Sequence, residues 1–499
     1  MSALGTAGSS KEVLVLGAGP AGLTAAFVLQ ESGIKTKVLE ADPDYVGGIS
    51  RTVNASGFKF DIGGHRFFTK SIVVQELWTR MLHQDRWIKD VPRMSRIYYR
   101  KKFFNYPLSA TDALQKLGIF EAILCMTSYF RFKVKPIKNP KSFQDWVTNQ
   151  FGKRLFEIFF KSYTEKVWGM RCDEISADWA SQRIKGLSLG EAALNSLPGF
   201  IRKFKNKTEL IRTLTDKFDY PTYGPGELWE SAKNKLEENN SLVIMGQRVT
   251  KLIYSNSQIT SIETTNADGD VQIHLGTDVI SSLPIRELLN ALEPKPPEEI
   301  LVAANSLHYR DFLTVVLIYD NPSIFLDNWI YIHEPSVKVG RIQNFKNWSP
   351  SMVPDAHLSS LGLEYFCFEG DQLWQMSDED LIALGAQELN SIGLTGLQPL
   401  KGFVVRCKKA YPIYDDQYKT YVKKIWEWVS SNITNLQFVG RNGMHMYNNQ
   451  DHSMLTAYLA AQNVMGENHN LWNVNSSAEY HEETQSSIVS ERLIPQRIV

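Results

Sequence analysis

The chain has 499 residues, more than one hydrophobic core usually serves, so two or three structural units are expected. Its 43% hydrophobic and 22% charged residues are ordinary values for a globular protein. The 54 basic side chains balance the 54 acidic ones, and this balance predicts no nucleic-acid partner.

Cysteine usage and the apolar segments predict a cytoplasmic protein without stable membrane insertion. The four cysteines have no CxxC or metal-like spacing, so we expect neither a disulfide scaffold nor a bound metal. The first twelve residues lack the basic flank and apolar run of a secretion signal. The longest mostly apolar stretch, residues 117–130, is shorter than the ~20 residues that cross a bilayer. We interpret it as a buried core helix, in preference to a helix lying on a membrane surface.

Residues 11–40 have the pattern of a strand, a glycine turn, a helix and a second strand. Gly17, Gly19 and Gly22 form a GxGxxG motif. The first glycine permits the turn, the second lets the backbone approach a pyrophosphate, and the third lets the helix pack closely on the strand. Glu40 closes the second strand, where its carboxylate can accept hydrogen bonds from ribose hydroxyls. These features predict a dinucleotide site at the helix N-terminus rather than a tight structural turn.

The rest of the chain alternates between helical and β-rich segments. Residues 109–215 contain long periodic apolar segments and many aromatics, which predict an inserted helical region. Residues 241–284 return to strand periodicity, and residues 310–370 predict longer strands of a mainly antiparallel sheet. The stretch QFVGRNG at residues 437–443 predicts one more short buried strand.

The segment after Glu40 contains two glycine pairs, GG at 47–48 and GG at 63–64. It resembles the two-dinucleotide-binding flavoproteins, the amine oxidase and protoporphyrinogen oxidase group, in which the first pair runs beside the pyrophosphate and FDxGGH reaches the flavin ring. GQRVTKL at residues 246–252 resembles the strand that holds adenine in that group, and FVGRN resembles its C-terminal flavin-diphosphate contact. The resemblance implies FAD as the cofactor. The cofactor-binding residues that it implies are Gly17, Gly19, Ala21, Gly22, Glu40, Ala41, Gly47, Gly48, Ser50, Arg51, Gly63, Gly64, His65, Val249, Gly440, Arg441, Asp451, His452 and Ser453.

The fold expected from this resemblance is α/β. It combines a Rossmann-type FAD domain with an inserted helical region and a mainly antiparallel β-sheet substrate domain. The expected division is 1–100 (first FAD-binding part), 101–215 (inserted helical region), 216–290 (second FAD-binding part), 291–420 (substrate domain), 421–470 (closing FAD-binding segment) and 471–499 (C-terminal tail).

A narrower resemblance begins within residues 159–184. There YTEKVWG, followed by an Ala and then an Arg, is similar to the UDP-galactopyranose mutases of bacterial type. Three further segments agree in the same chain order: LHYRDFLTV at residues 307–315, AYPIYDD at residues 410–416, and NQDHS at residues 449–453, which resembles the eukaryotic mutases.

Two arginines and four aromatic residues are the substrate-binding residues that this second resemblance implies. Arg183 and Arg310 would grip the substrate diphosphate, because a guanidinium fork bonds phosphate oxygens bidentately. The alternatives are a solvated helix position for Arg183 and an ion pair with Asp311 for Arg310. The aromatic residues would donate hydroxyls to the phosphates or line the nucleotide pocket, with a purely structural core as the alternative: Tyr163, Trp168, Tyr411 and Tyr447.

The polar stretch HMYNNQDHSM, residues 445–454, would begin a helix that points at the flavin. Asn449 would then face the sugar hydroxyls or the flavin, and Asp451 would line the same cavity. The alternative is a hydrophilic helix start, in which side chains such as Gln450 only cap the helix. His452 is as consistent with a core histidine as with a ligand contact.

The activity implied by the resemblance is that of an FAD-dependent intramolecular transferase, a mutase, acting on a nucleotide-diphosphate sugar in cell-surface glycan or polysaccharide biosynthesis. The N5 atom of reduced flavin would be the nucleophile, without net redox. NAD(P)H or another reductant is therefore an expected partner, and a homodimer is allowed. The catalytic residues implied are His65, Arg183, Arg310 and Asn449. His65 would lie beside the flavin edge, either as a general acid or base or in a positional role.

Several features depart from the bacterial mutases. Met444, His445 and Met446 replace aromatic and basic residues, and Asn449 replaces an expected aspartate. Residues 190–225 and 320–365 are interpreted as extra material. Because these departures fall at the sugar end, they leave open which sugar is bound.

Two other classes of protein share the group's motifs. The main alternative is an FAD-dependent oxidoreductase of protoporphyrinogen oxidase or amine oxidase type, which needs a large apolar or amine-binding cavity and no pair of phosphate-binding arginines. A third class, the Rab escort and GDP-dissociation-inhibitor group, shares the fold without using flavin, and the intact glycine and acidic positions argue against it.

Overall fold

The computed structural model of the chain describes residues 11–106, 108, 110–177, 179 and 217–475. Its strands are β1 Glu12–Leu16, β2 Lys35–Leu39, β3 Thr52–Ala55, β4 Phe58–Asp61, β5 Trp87–Pro92, β6 Ser95–Tyr99, β7 Lys102–Asn105, β8 Lys217–Pro221, β9 Leu242–Ile244, β10 Arg248–Ser255, β11 Gln258–Thr265, β12 Val271–Leu275, β13 Asp278–Ser281, β14 Leu292–Glu293, β15 Tyr309–Tyr319, β16 Trp329–Ile332, β17 Arg341–Asn344, β18 Ser359–Cys367, β19 Lys401–Pro412 and β20 Leu436–Phe438. Its α-helices are α1 Pro20–Glu31, α2 Ile72–Met81, α3 Ala110–Leu117, α4 Ile119–Val134, α5 Phe143–Phe151, α6 Lys153–Phe156, α7 Ser162–Trp168, α8 Gly226–Glu238, α9 Ile285–Ala291, α10 Glu298–Asn305, α11 Gln372–Gln375, α12 Asp378–Ser391, α13 Tyr418–Asn432, α14 Gly440–Gly443 and α15 Gln450–Val464.

A five-stranded parallel sheet, in the order β20-β13-β1-β2-β9, carries the glycine motif. Its strands are short apolar runs, as in β1, where four of five residues are buried, because a parallel sheet is covered on both faces. Helix α1 packs against α8 and α15 beside this sheet. Parallel pairing brings the carboxyl ends of β1, β2 and β20 to one edge. Gly17 and Glu40, which directly follow β1 and β2, and Gly440, two residues after β20, therefore lie at that edge.

A seven-stranded sheet, in the order β19-β15-β18-β17-β16-β6-β7, forms the second large unit. All of its pairings are antiparallel except that between β6 and β16. Every residue of β15 and β18 is buried, and these are the two long strands expected from the sequence. The mixed α/β class expected from the sequence is therefore confirmed.

Residues 320–365, which the sequence suggested were extra material, belong to this sheet. Strands β16 and β17 pair with each other, and β17 also pairs with β18. Ile330 and Ile342 are fully buried in the core between the sheet and its helices. The segment is therefore an internal part of the sheet and carries side chains toward its buried face.

Helices α4 to α7 form a helical layer whose core includes Phe143, Phe156 and Trp168. The same core contains Phe312 of β15 and Tyr411 of β19, so the layer packs on the large sheet. The part of the predicted helical insertion that contains Arg183 lies outside the described residues.

The prediction of one buried core helix over residues 117–130 is wrong. Gly118 has a φ of 93° and separates α3 from α4. Helix α4 buries only Cys125 and Tyr129, while Phe120 is 84% exposed and Val134 is 85% exposed. Apolar composition indicated a helix but not which of its faces would find neighbours. Among the described residues, no helix is long and apolar enough to cross a membrane.

Candidate active site

The glycine turn brings the N-terminus of α1 to the edge of the parallel sheet. Gly17 has a φ of 93°, a backbone conformation that residues with a side chain rarely adopt. A Cβ atom on Gly22 would lie 1.8 Å from the carbonyl oxygen of Gly17, so helix and turn can approach only with glycine there. Helix α1 begins at Pro20 without a side-chain cap on Gly19, which leaves backbone N–H groups for an anionic ligand.

Glu40 lies beside this turn at the end of β2. Its carboxylate accepts the backbone N–H of Ala18 at 2.6 Å and that of Asp42 at 2.8 Å. Burial raises the pKa of Glu40 above its ordinary value, and these two N–H donors act against that increase. Ala41 lies between Glu40 and Asp42 in the loop that follows β2. The hydrogen bonds from ribose hydroxyls to Glu40 stay a prediction.

The strand that was predicted to hold adenine starts next to Glu40. The Gln247 N–H donates to the Glu40 carbonyl at 2.7 Å, and the Glu40 N–H donates to the Ile244 carbonyl at 2.9 Å. Val249 follows in β10, opposite Thr264, and the pairing is irregular directly after it. The predicted backbone contact of Val249 with adenine is therefore spatially compatible with the glycine turn.

The first glycine pair passes directly by the N-terminus of α1. The Gly47 N–H donates to the Ala18 carbonyl at 2.8 Å, and a Cβ atom on Gly48 would lie 3.5 Å from the Cα atom of Gly19. From the other side, a Cβ atom on Gly440 would lie 3.0 Å from the Cβ atom of Ala21. Three distant segments thus bring backbone to one place, as a bound pyrophosphate requires.

Ser50 and Arg51 follow the first pair and connect it to the start of α15. The Ser50 hydroxyl donates to the side-chain oxygen of Gln450. Arg51 pairs with Asp42 at 2.5 Å. Within the described parts of the chain, Arg51 Nε and Gln450 Nε2 are buried donors without a hydrogen-bond partner. Such donors beside a helix N-terminus fit the phosphate and flavin groups of FAD.

The second glycine pair lies against the large sheet. A Cβ atom on Gly64 would lie 2.5 Å from the Trp329 ring, and a Cβ atom on Gly63 would lie 3.5 Å from the Phe312 ring. His65 Nδ1 lies 3.0 Å from the Gly63 carbonyl oxygen, a distance at which the N–H form of Nδ1 donates to it. Burial and the positive charge of Arg441 lower the pKa of His65 to about 4, so its ring is neutral near pH 7.

The polar stretch that was predicted to line a cavity forms the start of α15. Asn449 is the residue that caps the helix, and its backbone N–H donates to His452 Nδ1 at 3.1 Å. Asp451, His452 and Ser453 are buried in the first turn. Helix capping therefore partly explains why Asn449 and His452 are polar. The ligand contacts of Asn449, Asp451, His452 and Ser453 stay predictions.

Arg441 connects this helix start to the aromatic residues. Its Nε donates to the Asn448 carbonyl at 2.9 Å, and its Nη1 donates to the Ala410 carbonyl at 3.0 Å. The guanidinium carbon lies 5.3 Å from the ring centroid of Tyr411 and 4.9 Å from that of Tyr447. Arg441 is therefore a fixed cation beneath two rings that were predicted to bind substrate.

Three of the four predicted aromatic residues form one cluster. Tyr411 stacks on Tyr447 with ring centroids 5.5 Å apart, and Trp168 lies 6.4 Å and 6.1 Å from their centroids. Of the residues that the structure describes, none accepts a hydrogen bond from Trp168 Nε1, which is buried. Tyr163 stacks on His333 with centroids 4.7 Å apart and interacts electrostatically with Arg341 and Tyr411.

Arg341 is the functional candidate that the sequence analysis missed. It lies in β17, and its Nη2 donates to the Tyr411 hydroxyl at 2.9 Å. Its guanidinium carbon lies 5.0 Å from the ring centroid of Trp329, the ring that packs on Gly64. Arg341 therefore joins the aromatic cluster to the His65 loop. The signal that could have found it is a charged residue within the apolar run VGRIQ, since an arginine in a buried strand needs a partner or a ligand.

Glu364 is the charged partner of Arg341. The two residues face each other across β17 and β18, and Arg341 Nη2 lies 2.5 Å from the Glu364 carboxylate. Gln343 Nε2 also donates to Glu364, at 2.7 Å. Burial raises the pKa of Glu364, while the positive charge of Arg341 acts to lower it. Burial acts to lower the pKa of Arg341, yet Glu364 and the surrounding tyrosines hold it well above the ordinary value.

Arg310 is engaged at the end of α7, and its Nη1 is a buried donor without a hydrogen-bond partner among the described residues. Its Nε donates to the Val167 carbonyl at 3.2 Å, and its Nη2 donates to the Phe366 carbonyl at 2.9 Å. It therefore neutralises the C-terminal end of α7, where a cation is favourable. Its Nη1 is 3.8 Å from Asp371, and the alternative partner Asp311 instead accepts backbone N–H groups. The diphosphate contact of Arg310 stays a prediction.

A parallel sheet with a glycine turn, two further glycine segments at its edge and a large antiparallel sheet define an FAD-dependent enzyme of the amine oxidase superfamily. The chain belongs to the family of flavin-containing amine oxidoreductases, whose model matches residues 20–465. FAD is its cofactor. The residues around the glycine turn fit that cofactor, as their close backbone approach and unpartnered buried donors indicate.

Two curated relatives are sugar-nucleotide mutases. The chain is 26% identical over 179 residues to a probable UDP-galactopyranose mutase of Klebsiella pneumoniae, a match that covers 34% of this chain and 44% of that protein. It is 24% identical over 182 residues to the dTDP-fucopyranose mutase of Escherichia coli, with 33% and 44% covered. The matches thus span less than half the length of these relatives. The predicted resemblance to a mutase within the amine oxidase group is confirmed.

Solved structures show the same fold. A reduced UDP-galactopyranose mutase superposes with a TM-score of 0.78 at 23% identity, covering 94% of this chain and 98% of that chain. A putative protoporphyrinogen oxidase from Exiguobacterium superposes with a TM-score of 0.69 at 16% identity, with 91% and 99% covered.

Proposed function

We propose that the protein is an FAD-dependent mutase that isomerises the sugar of a nucleotide-diphosphate sugar without net redox, in the synthesis of cell-surface glycans or polysaccharides. The observation that carries this proposal is the buried cation Arg341, held between the Tyr411 hydroxyl and the Trp329 ring beside the His65 loop. A diphosphate needs fixed, planar cations, and a buried guanidinium meets that need. Similarity to two curated sugar-nucleotide mutases supports the same substrate class.

The aromatic cluster supplies neutral donors beside that cation. Tyr411 and Tyr447 carry hydroxyl groups, and Trp168 carries a buried N–H without a hydrogen-bond partner among the described residues. Arg441 adds positive charge beneath both tyrosine rings. These groups would hold the diphosphate in place while the bond to the sugar breaks and re-forms, in a site with little water.

The charge balance around the site favours an anionic group. Glu364 neutralises Arg341 on one side, and among the described residues Arg441 donates its direct hydrogen bonds to backbone carbonyls. Within the described part of the chain, one fixed positive charge therefore remains close to the cluster. A diphosphate leaving group would be stabilised by this charge in a region of low dielectric constant.

His65 would act toward the sugar as a neutral imidazole. Its pKa is lowered to about 4, so near pH 7 it does not carry the proton that a general acid would donate. With Nδ1–H directed to the Gly63 carbonyl, Nε2 is the acceptor of the ring. The role we assign to His65 is therefore to accept a hydrogen bond or a proton at Nε2 beside the cofactor.

The cofactor would be held by the glycine turn, Glu40, the first glycine pair and the start of α15. When bound and reduced, FAD supplies the nucleophilic chemistry at the anomeric carbon. The side chains of the protein bind the diphosphate, orient the sugar and exclude water.

Anaerobic turnover tests this proposal directly. The FAD-loaded protein is reduced with dithionite, and UDP-sugars and dTDP-sugars are added one at a time. We expect an isomerised nucleotide sugar, detected by NMR, with the flavin spectrum unchanged at the end. Turnover that occurs only with an external electron acceptor, with an oxidised product, would instead identify an oxidoreductase of the protoporphyrinogen oxidase or amine oxidase type.

A further inference from the structure

Helix α4 presents a mainly apolar stripe to solvent, in which Thr127 and Arg131 are the exposed polar positions. At about 100° per residue, its large exposed side chains fall within an arc of roughly 140° on one side of the helix. Phe120 and Val134 are exposed by 84% and 85%. The stripe, which we call the α4 stripe, consists of Ile119, Phe120, Ile123, Leu124, Phe130 and Val134, all more than half exposed.

The opposite side of α4 is firmly attached to the protein. Cys125 is fully buried, and a Cβ atom on Gly152 would lie 2.7 Å from the backbone nitrogen of Tyr129. Glu121 forms an ion pair with Arg154. The α4 stripe is therefore a fixed surface of a docked helix, and a fixed exposed apolar surface of this kind usually meets a partner.

Basic residues flank the stripe in the sequence. Between residues 100 and 141 there are nine basic side chains against two acidic ones, although the whole chain is balanced. Both acidic residues, Asp112 and Glu121, already pair with Lys116 and Arg154. Arg100 acts electrostatically on Glu121 in the first turn of α4, and the last turn carries further basic residues. The basic residues are Arg100, Lys101, Lys102, Lys116, Arg131, Lys133, Lys135, Lys138 and Lys141.

We propose that the α4 stripe docks reversibly on a bilayer that contains anionic phospholipids. Exposed aliphatic and aromatic side chains enter the boundary between headgroups and acyl chains, and flanking Lys and Arg residues are attracted to anionic headgroups. A second copy of the chain fits this surface poorly, because pairing the stripe with itself would bring two positive surfaces together. Helix α4 is too short to span the bilayer, so the contact is peripheral.

Vesicle binding of the full-length, FAD-loaded protein tests the proposal. We expect co-sedimentation with vesicles of mixed phosphatidylglycerol and phosphatidylcholine, weaker binding at high ionic strength, and little binding to phosphatidylcholine alone. Equal binding to both vesicle types, or binding to neither, would overturn the proposal.

Paired variants separate the stripe from general surface effects. Phe120→Ser with Ile123→Ser is expected to lower the partition coefficient at least about tenfold. The matched control, Ile273→Ser with Leu275→Ser, changes equally exposed apolar residues of β12 and should bind as the parent does. Lys133→Glu with Lys135→Glu should lower the partition coefficient to a similar extent, whereas the control, Lys35→Glu with Lys423→Glu, should bind as the parent does.

Two further measurements distinguish a lost membrane contact from misfolding and from a change in oligomeric state. The flavin absorbance and melting temperature of each variant should match the parent, because the changed side chains are exposed. Sedimentation velocity should give the same oligomeric state for the parent and the Phe120/Ile123 variant. If that variant keeps full vesicle binding, or if it only dissociates an oligomer, the stripe is not a membrane surface.

Discussion

Replacing Arg341 and Glu364 together should weaken diphosphate binding at least about tenfold without unfolding the protein. Arg341→Gln alone would leave the Glu364 carboxylate buried without its ion pair, at a cost of about 3 to 5 kcal/mol in stability. The double variant, R341Q with E364Q, replaces the buried ion pair by two neutral amides. It therefore removes the cation and avoids most of that cost.

The magnitude follows from the donors that Arg341 has left. Nη2 is already engaged with Tyr411 and Glu364, whereas Nε is buried and has no hydrogen-bond partner in the described part of the chain. One or two charge-assisted bonds to phosphate are therefore available, each worth about 1.5 to 3 kcal/mol. The dissociation constant of UDP should rise about 10- to 150-fold for each bond lost.

Isothermal titration calorimetry of FAD-loaded protein with UDP measures this change. The matched control is R406Q with D378N, which removes an Arg–carboxylate pair from the exposed part of the same sheet. We expect the control to bind UDP as the parent does. If the folded R341Q/E364Q variant also binds UDP with the parent's affinity, Arg341 does not hold the diphosphate, and the proposed site is wrong.

Three other predictions concern the cofactor, the pH dependence and the aromatic cluster. Gly22→Ala should lose FAD and at least about 2 kcal/mol of stability, because the new Cβ atom would clash with the Gly17 carbonyl oxygen. The control, Gly396→Ala, should retain the parent's ratio of flavin to protein absorbance. Full FAD content in the Gly22 variant would contradict the packing argument. Burial lowers the pKa of His445 from its ordinary value of 6.5 to about 4, so the fold favours the neutral imidazole. The contribution of His445 to stability is therefore complete above pH 6.5 and is lost as the pH falls toward 4. Urea unfolding should therefore show that His445 contributes a loss of about 2 kcal/mol in the free energy of unfolding between about pH 7 and pH 5. If the free energy of unfolding depends on pH as steeply in His445→Gln as in the parent, this reasoning is wrong. Trp168→Phe should weaken UDP binding by about 1 kcal/mol with little change in melting temperature, because the Trp168 indole N–H has no partner among the described residues. If the affinity for UDP is unchanged, Trp168 does not contact the diphosphate.

Features that depend on neighbouring residues in the chain were predictable from the sequence. The GxGxxG turn requires glycine for local reasons, namely the left-handed backbone of Gly17 and the contact between Gly22 and the Gly17 carbonyl. The apolar runs of β1, β15 and β18 indicate buried strands in the same way. These local signals predicted the α/β class and a dinucleotide site, and the resemblance to the flavoproteins identified the dinucleotide as FAD.

The arrangement around the sugar end depended on strands that are remote in the sequence. Pairing of β16, β17 and β18 brings Arg341 opposite Glu364 and next to the Trp329 ring, and no local pattern specifies that register. Arg310 of β15 donates to carbonyls at the C-terminal end of α7 and in β18, and these contacts also join segments that are remote in the sequence.

Helix α4 shows the same division between local and tertiary information. Its sequence was sufficient to predict a helix, since helical periodicity is a property of consecutive residues. Whether Phe120 faces the core or solvent depends on which other elements pack there, and only Cys125 and Tyr129 are covered. Local patterns were therefore sufficient to predict the glycine turn and the strands of the parallel sheet. Which arginine faces the aromatic cluster and which face of α4 stays exposed depend on contacts between distant segments, because those contacts set burial.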